Sequence, residues 1–78
     1  MFYVYVISSE KRKYIYVGLT NNVERRIGEH NQGKEKTTRP YAPFRTILVE
    51  SHPTRIEARK REKYLKSGVG KEFLRTIK

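Results

Sequence analysis

The side chains best suited to chemistry in this 78-residue chain are two tyrosines, an arginine and a histidine near its start. Tyr5 and Tyr16 stand in two short aromatic segments, and Arg26 and His30 follow with helical spacing. A guanidinium presents a planar fork of donors that matches phosphate oxygens. Tyrosine hydroxyls and imidazoles can orient or transfer protons. Each residue alone is more often structural, but together they predict chemistry on a phosphate group.

Glu62 is the acidic side chain that stands out further along the chain. Helical spacing places it beside Ala58 and Leu65, at the edge of an apolar stripe. A carboxylate in such a place needs a partner. It could form an ion pair with a nearby basic residue, or it could be an oxygen ligand of a divalent cation such as Mg²⁺. Its basic neighbours are Arg59, Lys60, Arg61, Lys63 and Lys66.

The charge of the chain favours a nucleic-acid partner. It carries 18 Lys and Arg against 8 Asp and Glu, a formal net charge of +10. Basic side chains displace condensed counterions from nucleic acid, and here they are spread along the chain rather than gathered at one end. The residues predicted to contact a nucleic-acid backbone are Lys11, Lys13, Arg25, Lys34, Lys36 and Arg39.

Composition excludes several kinds of site. The absence of cysteine rules out disulfides, thiolate zinc sites and cysteine nucleophiles, and two histidines are too few for a His-rich metal cluster. The first residues have no basic segment followed by a long apolar run, and no stretch approaches transmembrane length. We therefore expect a cytoplasmic protein with one domain at most.

A hairpin is predicted to carry the two tyrosines. Residues 2–7 are apolar or aromatic and predict a strand covered on both faces, and residues 14–18 predict the returning strand. If Tyr5 lies opposite Tyr16, the polar turn is symmetric about residues 10 and 11, and the same pattern also allows a register shifted by one or two residues. Gly18 is expected either to adopt an unusual backbone angle or to let another chain or a phosphate come close.

Three helices and one more strand are predicted beyond the hairpin. Asn21 is the expected cap of a first helix, which presents Val23, Ile27 and His30 on one face and ends at residues 31–33. A surface loop is expected over residues 33–43, with a third strand over 44–50 and a turn over 51–53. A capping box at residues 54–57 opens a second helix ending near Ser67, and residues 71–77 form the last. The predicted fold class is α+β, with order β-β-α-β-α-α and a three-stranded antiparallel sheet flanked by helices.

The combination of these residues resembles the GIY-YIG nuclease superfamily. The two motifs read Tyr3-Val4-Tyr5 and Tyr16-Val17-Gly18, and the likeness extends through Arg26, His30 and the helix that carries Glu62. It covers nearly the whole chain as a single domain, residues 1–78. The resemblance is strongest to the small stand-alone members of the family. It is looser to the N-terminal nuclease domain of the bacterial excision-repair endonuclease. The chain departs from the family motifs at Tyr3, Val4 and Val17, and it has Leu19 where some members have Lys.

The resemblance implies a role for each residue. Tyr5 and Tyr16 are similar to the motif tyrosines, with Tyr16 the favoured partner of the attacking water. Arg26 resembles the arginine that holds the scissile phosphate, and His30 stands where many members have a residue that assists proton transfer. Glu62 resembles the glutamate that binds the divalent metal, Mg²⁺ or Mn²⁺.

The function that the resemblance implies is a metal-dependent endonuclease acting on duplex or branched DNA, by nicking or by recognising structure, in repair, recombination or processing. Substrate choice would rest on nucleic-acid shape or on a partner protein. The main alternative is a non-catalytic basic domain that binds DNA or structured RNA, and a weaker one is an adaptor for an acidic protein. Glu62 discriminates among them, because a domain that only binds gains nothing from an acid beside its basic face.

Overall fold

The computed structural model describes residues 1–77, which form one three-stranded antiparallel sheet and three α-helices. The fold class and the element order β-β-α-β-α-α are those predicted from the sequence. Among these residues no helix combines the length and the apolar character that crossing a bilayer requires. The strands are β1 (Phe2–Ser9), β2 (Ile15–Thr20) and β3 (Phe44–His52), and the helices are α1 (Val23–Asn31), α2 (Arg55–Lys66) and α3 (Gly68–Ile77).

Strand β1 is the centre of the sheet, which has the order β2-β1-β3. Because successive side chains of a strand point to opposite faces, β1 contributes to two separate cores. Val4 and Val6 pack with α2 and α3, whereas Tyr5 and Ile7 pack on the face that α1 covers. All four are at most 1% exposed, which confirms the prediction of a strand covered on both faces.

The hairpin register differs from the symmetric one. Tyr5 pairs with Gly18 and Tyr16 pairs with Ile7, so Tyr5 does not lie opposite Tyr16, and the register is the one shifted by two residues that the sequence also allowed. Strand β1 continues through Ser9, whose hydroxyl accepts the backbone N–H groups of the turn and so moves the turn along the chain. A shift of two residues preserves the face of every side chain, so both tyrosines still lie on the same side of the sheet.

Helix α1 begins one residue later than expected. The cap is Asn22 rather than Asn21, and its side chain accepts the N–H of Arg25 at 3.1 Å. The shift follows from Thr20 at the end of β2, whose hydroxyl accepts the N–H of Asn22 at 3.0 Å and turns the chain there. Gly33 follows the helix with φ +74°, a left-handed conformation that favours glycine.

The segment of residues 33–43 is more than a surface loop. It contains a short 3₁₀ turn, Arg39–Tyr41, and it buries Thr38 completely, contrary to the prediction. Strand β3 also extends to His52, so residues 51–52 pair with β1 instead of forming a turn. Pairing with the central strand supplies hydrogen bonds that a turn at this place would leave unmade.

Helix α2 has the predicted capping residue, because the Thr54 hydroxyl accepts the N–H of Glu57 at 3.2 Å. Helix α3 begins at Gly68 rather than at residue 71, so Gly68 and Gly70 both belong to it. Gly70 packs directly against the α2 backbone, and a Cβ there would overlap the carbonyl oxygen of Tyr64. Gly70 therefore permits close packing of α3 on α2.

Candidate functional site

Tyr5, Tyr16 and His30 meet on the face of the sheet that α1 covers. The Tyr16 ring centroid lies 4.8 Å from that of His30 and 6.2 Å from that of Tyr5. Tyr5 is 1% exposed and His30 is fully buried, whereas Tyr16 is half-buried. Of these three, Tyr16 is thus the one that offers a surface to a bound molecule.

A buried chain of hydrogen bonds runs behind Tyr16. The Tyr5 hydroxyl lies 2.9 Å from His30 Nε2, and His30 Nδ1 lies 2.8 Å from Thr38 Oγ1. Thr38 was missed by reasoning from the sequence, because nothing local marks it as different from its exposed neighbour Thr37. A buried imidazole has two nitrogens to satisfy, and both are satisfied here.

Burial sets the protonation of this chain. Burial, with a smaller contribution from nearby Tyr16, raises the pKa of Tyr5 to about 12, although the Arg26 guanidinium opposes the shift. Burial also lowers the pKa of His30, and the positive charge of Arg26 adds to that effect. A phenol with a raised pKa and an imidazole with a lowered one are both neutral near pH 7. The hydrogen bond between them therefore joins two uncharged groups.

Gly18 makes room for the Tyr5 ring. A Cβ at Gly18 would overlap the Tyr5 ring and its hydroxyl oxygen. Gly18 does not adopt a left-handed φ, so the expectation of an unusual backbone angle is wrong. The group that comes close is the tyrosine of the neighbouring strand, rather than another chain or a phosphate. The paired positions of a Tyr and a Gly on adjacent strands would have been the signal, had the register been known.

Arg26 extends from α1 between two carboxylates. Its Nη1 donates to Glu29 Oε1 at 3.0 Å and its Nη2 donates to Glu35 Oε2 at 2.7 Å. These hydrogen bonds, the one to Glu35 first, raise the pKa of the guanidinium. The side chain is 28% exposed. Since a guanidinium has five N–H donors, Arg26 keeps donors for an incoming anion, and it lies close enough to Tyr5 to oppose the rise in that pKa.

Glu62 lies apart from this cluster. Helix α2 packs on the opposite face of the sheet, and no hydrogen bond or ion pair within residues 1–77 joins Glu62 to the other four predicted site residues. Its side chain is only 12% exposed. One oxygen, Oε2, lies 3.2 Å from Lys66 Nζ, and the other lies 3.7 Å from Arg59 Nε. The structure thus shows the ion pairs, and the metal-ligand role stays a prediction.

The direction in which Glu62 projects follows from its neighbour Arg61. Arg61 makes two hydrogen bonds to Glu50 of β3, at 2.9 and 3.0 Å, which identifies the flank of α2 that faces β3. Successive helical residues are about 100° apart, so Glu62 projects from the other flank, towards β2. Its partner Lys66 lines a groove together with Tyr16 of β2. The Glu62 carboxylate and the tyrosines therefore lie on opposite faces of the sheet, and a bound molecule that contacts both would have to pass around the edge strand β2.

A metal at Glu62 would have few protein ligands. Within the described part of the chain no three His, Asp or Glu side chains are close enough together to hold an ion. A single carboxylate with water and phosphate oxygens in the remaining positions is an arrangement that Mg²⁺ accepts. The largely buried Glu62 carboxylate fits that kind of site, in competition with Lys66 for one of its oxygens.

A basic groove of about 660 Å³ adjoins Tyr16. Its lining includes Tyr14, Tyr16 and Leu65, and its cationic residues are Lys13, Lys66, Lys71 and Arg75. Lys13 was predicted from the sequence, whereas the cations of α2 and α3 were not, although the spacing of Lys71 and Arg75 places them on one helix face. Arg25 lines a second pocket of about 370 Å³ with Arg26. The other predicted contacts, Lys11, Lys34, Lys36 and Arg39, are exposed on the turn and the loop.

Comparison with known proteins gives one family over almost the whole chain. The sequence model of the GIY-YIG catalytic domain matches residues 1–75, which include Tyr5, Tyr16, Arg26, His30 and Glu62. A UPF0213 protein of Clostridium perfringens is 37% identical over 78 residues, which cover 99% of this chain and 83% of that protein. A solution NMR structure of a UPF0213 protein from Bacillus halodurans is similar with a TM-score of 0.58 and 36% identity, covering 100% of this chain and 86% of that one.

A relative with a descriptive name is found in Giardia intestinalis. It is a homologue of the structure-specific endonuclease subunit SLX1 and is 45% identical over 60 residues. The matched region covers 70% of this chain and 16% of the Giardia protein. The likeness therefore concerns one part of a much longer chain.

Proposed function

This chain belongs to the GIY-YIG catalytic domain family, and on that basis we propose that it is an endonuclease that hydrolyses DNA phosphodiester bonds with the help of Mg²⁺ or Mn²⁺. The observation that carries the proposal is the meeting of Tyr5, Tyr16, Arg26 and His30 on one face of the sheet. The name of the Giardia relative, a structure-specific endonuclease subunit, supports the same reaction class.

Exposure divides the four residues into two that touch substrate and two that support them. Tyr16 and Arg26 are partly exposed, whereas Tyr5 and His30 are buried behind them. Tyr16 orients the attacking water and takes part in moving its proton. Arg26 stabilises the charge that develops on the phosphoryl oxygens. His30 is buried and hydrogen-bonded to Tyr5 and Thr38, so the part in proton transfer that the family resemblance gives to it would be indirect.

Glu62 is the residue that would hold the divalent cation. When bound, such an ion stabilises negative charge on the phosphate and on the departing oxygen. Glu62 Oε1 is the oxygen more open to exchange, because its contact with Arg59 is long at 3.7 Å. Lys66 pairs with the other oxygen and also lines the groove beside Tyr16. It therefore connects Glu62 with the groove in which the DNA backbone is proposed to lie.

The substrate we propose is duplex or branched DNA whose backbone follows the basic groove. Phosphate contacts position a nucleic acid without reading its sequence, so shape or a partner protein would set substrate choice. The Giardia relative is described as a subunit, which supports a partner. One site cuts one strand at a time, so a nick is the expected product. Repair, recombination or processing of DNA in the cytoplasm is the proposed setting.

The test of this proposal is a cleavage assay on flapped, branched, single-stranded and plain duplex DNA with Mg²⁺ or Mn²⁺. Tyr16→Phe and Glu62→Ala should each lower the cleavage rate at least about tenfold, since base catalysis and metal binding each contribute that much or more. Matched controls are Tyr64→Phe and Glu72→Ala, which change exposed side chains on α2 and α3 and should keep the wild-type rate.

Equal activity in every variant would identify a contaminating nuclease and contradict the proposal. Binding without cleavage of any substrate would instead favour the alternative, a non-catalytic nucleic-acid-binding domain. The ion pairs of Glu62 with Lys66 and Arg59 are the observation in favour of that alternative, because they give the carboxylate a structural use.

The groove makes a separate prediction about affinity. Changing Lys13 and Lys71 to Glu should weaken DNA binding by about tenfold and reduce the slope of log K against log salt by about 2, because each phosphate contact contributes about 0.9. Changing the exposed Lys60 and Lys63 of α2 to Glu alters net charge by the same amount and serves as the control. Fluorescence anisotropy over a salt series measures both pairs. Equal losses would mean that only net charge matters.

A further inference from the structure

Thr38 is a buried hydroxyl that the proposed reaction leaves unexplained. It is fully buried in a segment that is otherwise largely exposed, and its Oγ1 contacts His30 Nδ1 at 2.8 Å. Two residues of this short segment reach the site, because Glu35 holds Arg26 through its carboxylate. The segment of residues 35–38 therefore contacts both the buried histidine and the phosphate-binding arginine.

The direction of the hydrogen bonds follows from counting donors and acceptors. The Thr38 hydroxyl has a backbone acceptor, the carbonyl oxygen of Glu35 at 3.5 Å. If it donates there, it accepts from His30 Nδ1–H, and His30 Nε2 is then left with a lone pair that accepts from the Tyr5 hydroxyl. In this arrangement the hydroxyl protons of Tyr5 and Thr38 and the ring N–H of His30 each have an acceptor.

The opposite direction leaves one proton without an acceptor. If Thr38 donated to Nδ1, the proton would sit on Nε2 and be donated to the Tyr5 oxygen. The Tyr5 proton would then have to point elsewhere, yet among residues 1–77 the Tyr5 hydroxyl has no hydrogen bond to an acceptor other than His30. Of its two charged neighbours, Arg26 has donors only, and Glu35 is hydrogen-bonded to Arg26 instead. A buried hydroxyl without an acceptor is unfavourable.

We propose that Thr38 is a positioning residue that holds His30 with its proton on Nδ1, so that the Tyr5 hydroxyl donates to Nε2 and turns its oxygen lone pairs towards Arg26. Thr38 touches no substrate. It acts through His30 and Tyr5 on the orientation of the guanidinium. The consequence for catalysis rests on the proposed nuclease function, whereas the tautomer of His30 does not.

The tautomer can be read without any assay of activity. Long-range ¹H–¹⁵N NMR of the uniformly labelled protein at neutral pH distinguishes a protonated imidazole nitrogen from one with a lone pair. We expect a protonated Nδ1 in the wild type and in Thr38→Ser, and a changed tautomer or averaged signals in Thr38→Val. Thr38→Ala removes the same hydroxyl without the bulk of valine, and Thr37→Val is the control at an exposed position.

Cleavage measurements then test the consequence. Thr38→Val and Thr38→Ala should lower the single-turnover rate about tenfold, as loss of an outer partner of a site residue commonly does, and Thr38→Ser should restore it. A wild-type His30 protonated on Nε2 would overturn the proposal, as would an unchanged Nδ1 tautomer in both Thr38→Val and Thr38→Ala, which lack the hydroxyl. A wild type that shows the Nδ1 tautomer but cuts no DNA would refute the nuclease function and leave the assignment of Thr38 standing.

Discussion

Replacing Arg26 with alanine is expected to lower the single-turnover cleavage rate by about 10²- to 10³-fold. A positioned donor that faces developing charge is worth about that much when it is removed. The substitution also leaves Glu29 and Glu35, which Arg26 now neutralises, without that partner beside the proposed phosphate site. Repulsion of the phosphate would add to the loss.

The neighbouring residue supplies the control. Arg25 is exposed, stands next to Arg26 on the same helix and lines the second pocket with it, so Arg25→Ala removes one positive charge and a predicted backbone contact but no hydrogen bond of the cluster. Its cleavage rate should stay within about threefold of the wild type. Arg26→Lys keeps the charge but loses the planar fork and should fall between the two. If the two alanine variants lost activity equally, a specific role for Arg26 would be excluded.

Gly18→Ala should destabilise the protein by about 1–3 kcal/mol, the usual cost of forcing an extra carbon into a packed core. The new methyl group would overlap the ring of Tyr5, which is 1% exposed. Displacing that ring also breaks its hydrogen bond to His30, so cleavage should fall with stability. Urea unfolding and the cleavage assay measure the two effects on the same samples.

Gly28→Ala is the matched control for the glycine. Nothing lies within 4 Å of a Cβ at Gly28, and alanine is preferred to glycine inside a helix by about 0.5–1 kcal/mol, so this variant should be more stable than the wild type. In a Tyr5→Ala background the ring is gone, and Gly18→Ala should then cost little. A cost that is the same in both backgrounds would show that the clash with Tyr5 is not the cause.

The course of the chain could largely be predicted from the sequence, because it depends on patterns of apolar residues and on capping residues. Strand β1 and the cap at Thr54 are such cases. Where the prediction was wrong, two neighbouring solutions obey the same pattern. A register shift of two residues leaves the faces of Tyr5 and Tyr16 unchanged, and the Ser9 hydroxyl in the turn decides between the two registers. Asn21 and Asn22 are equally good caps, and the Thr20 hydroxyl decides between them.

The candidate site was predictable only where its residues are close in sequence or recognised by family likeness. Arg26 and His30 share helix α1. This helix directly follows the hairpin that carries the two tyrosines, so the four residues were expected to lie close together. The contact of Thr38 with His30 depends on how the loop folds back, which no local pattern encodes. The burial of Tyr5 was predicted but its role was not, because an aromatic residue in a covered strand fits a core and an active site equally well.

The central position of β1 has a consequence for how the molecule folds. The pairing of β1 with β2 closes only a short turn. The pairing of β1 with β3 joins Phe2 to His52 and closes a long stretch of chain that contains α1 and the loop. Contacts between distant parts of a chain form more slowly, since more conformational entropy is lost in closing them. Until β3 docks, the most apolar strand of the chain has one open edge, and such edges pair readily with other molecules. The hairpin without β3 would thus be the species most prone to aggregate. Docking of β3 would cover its open edge, and it would also add Phe44 to the cluster of Tyr5 and Ile7.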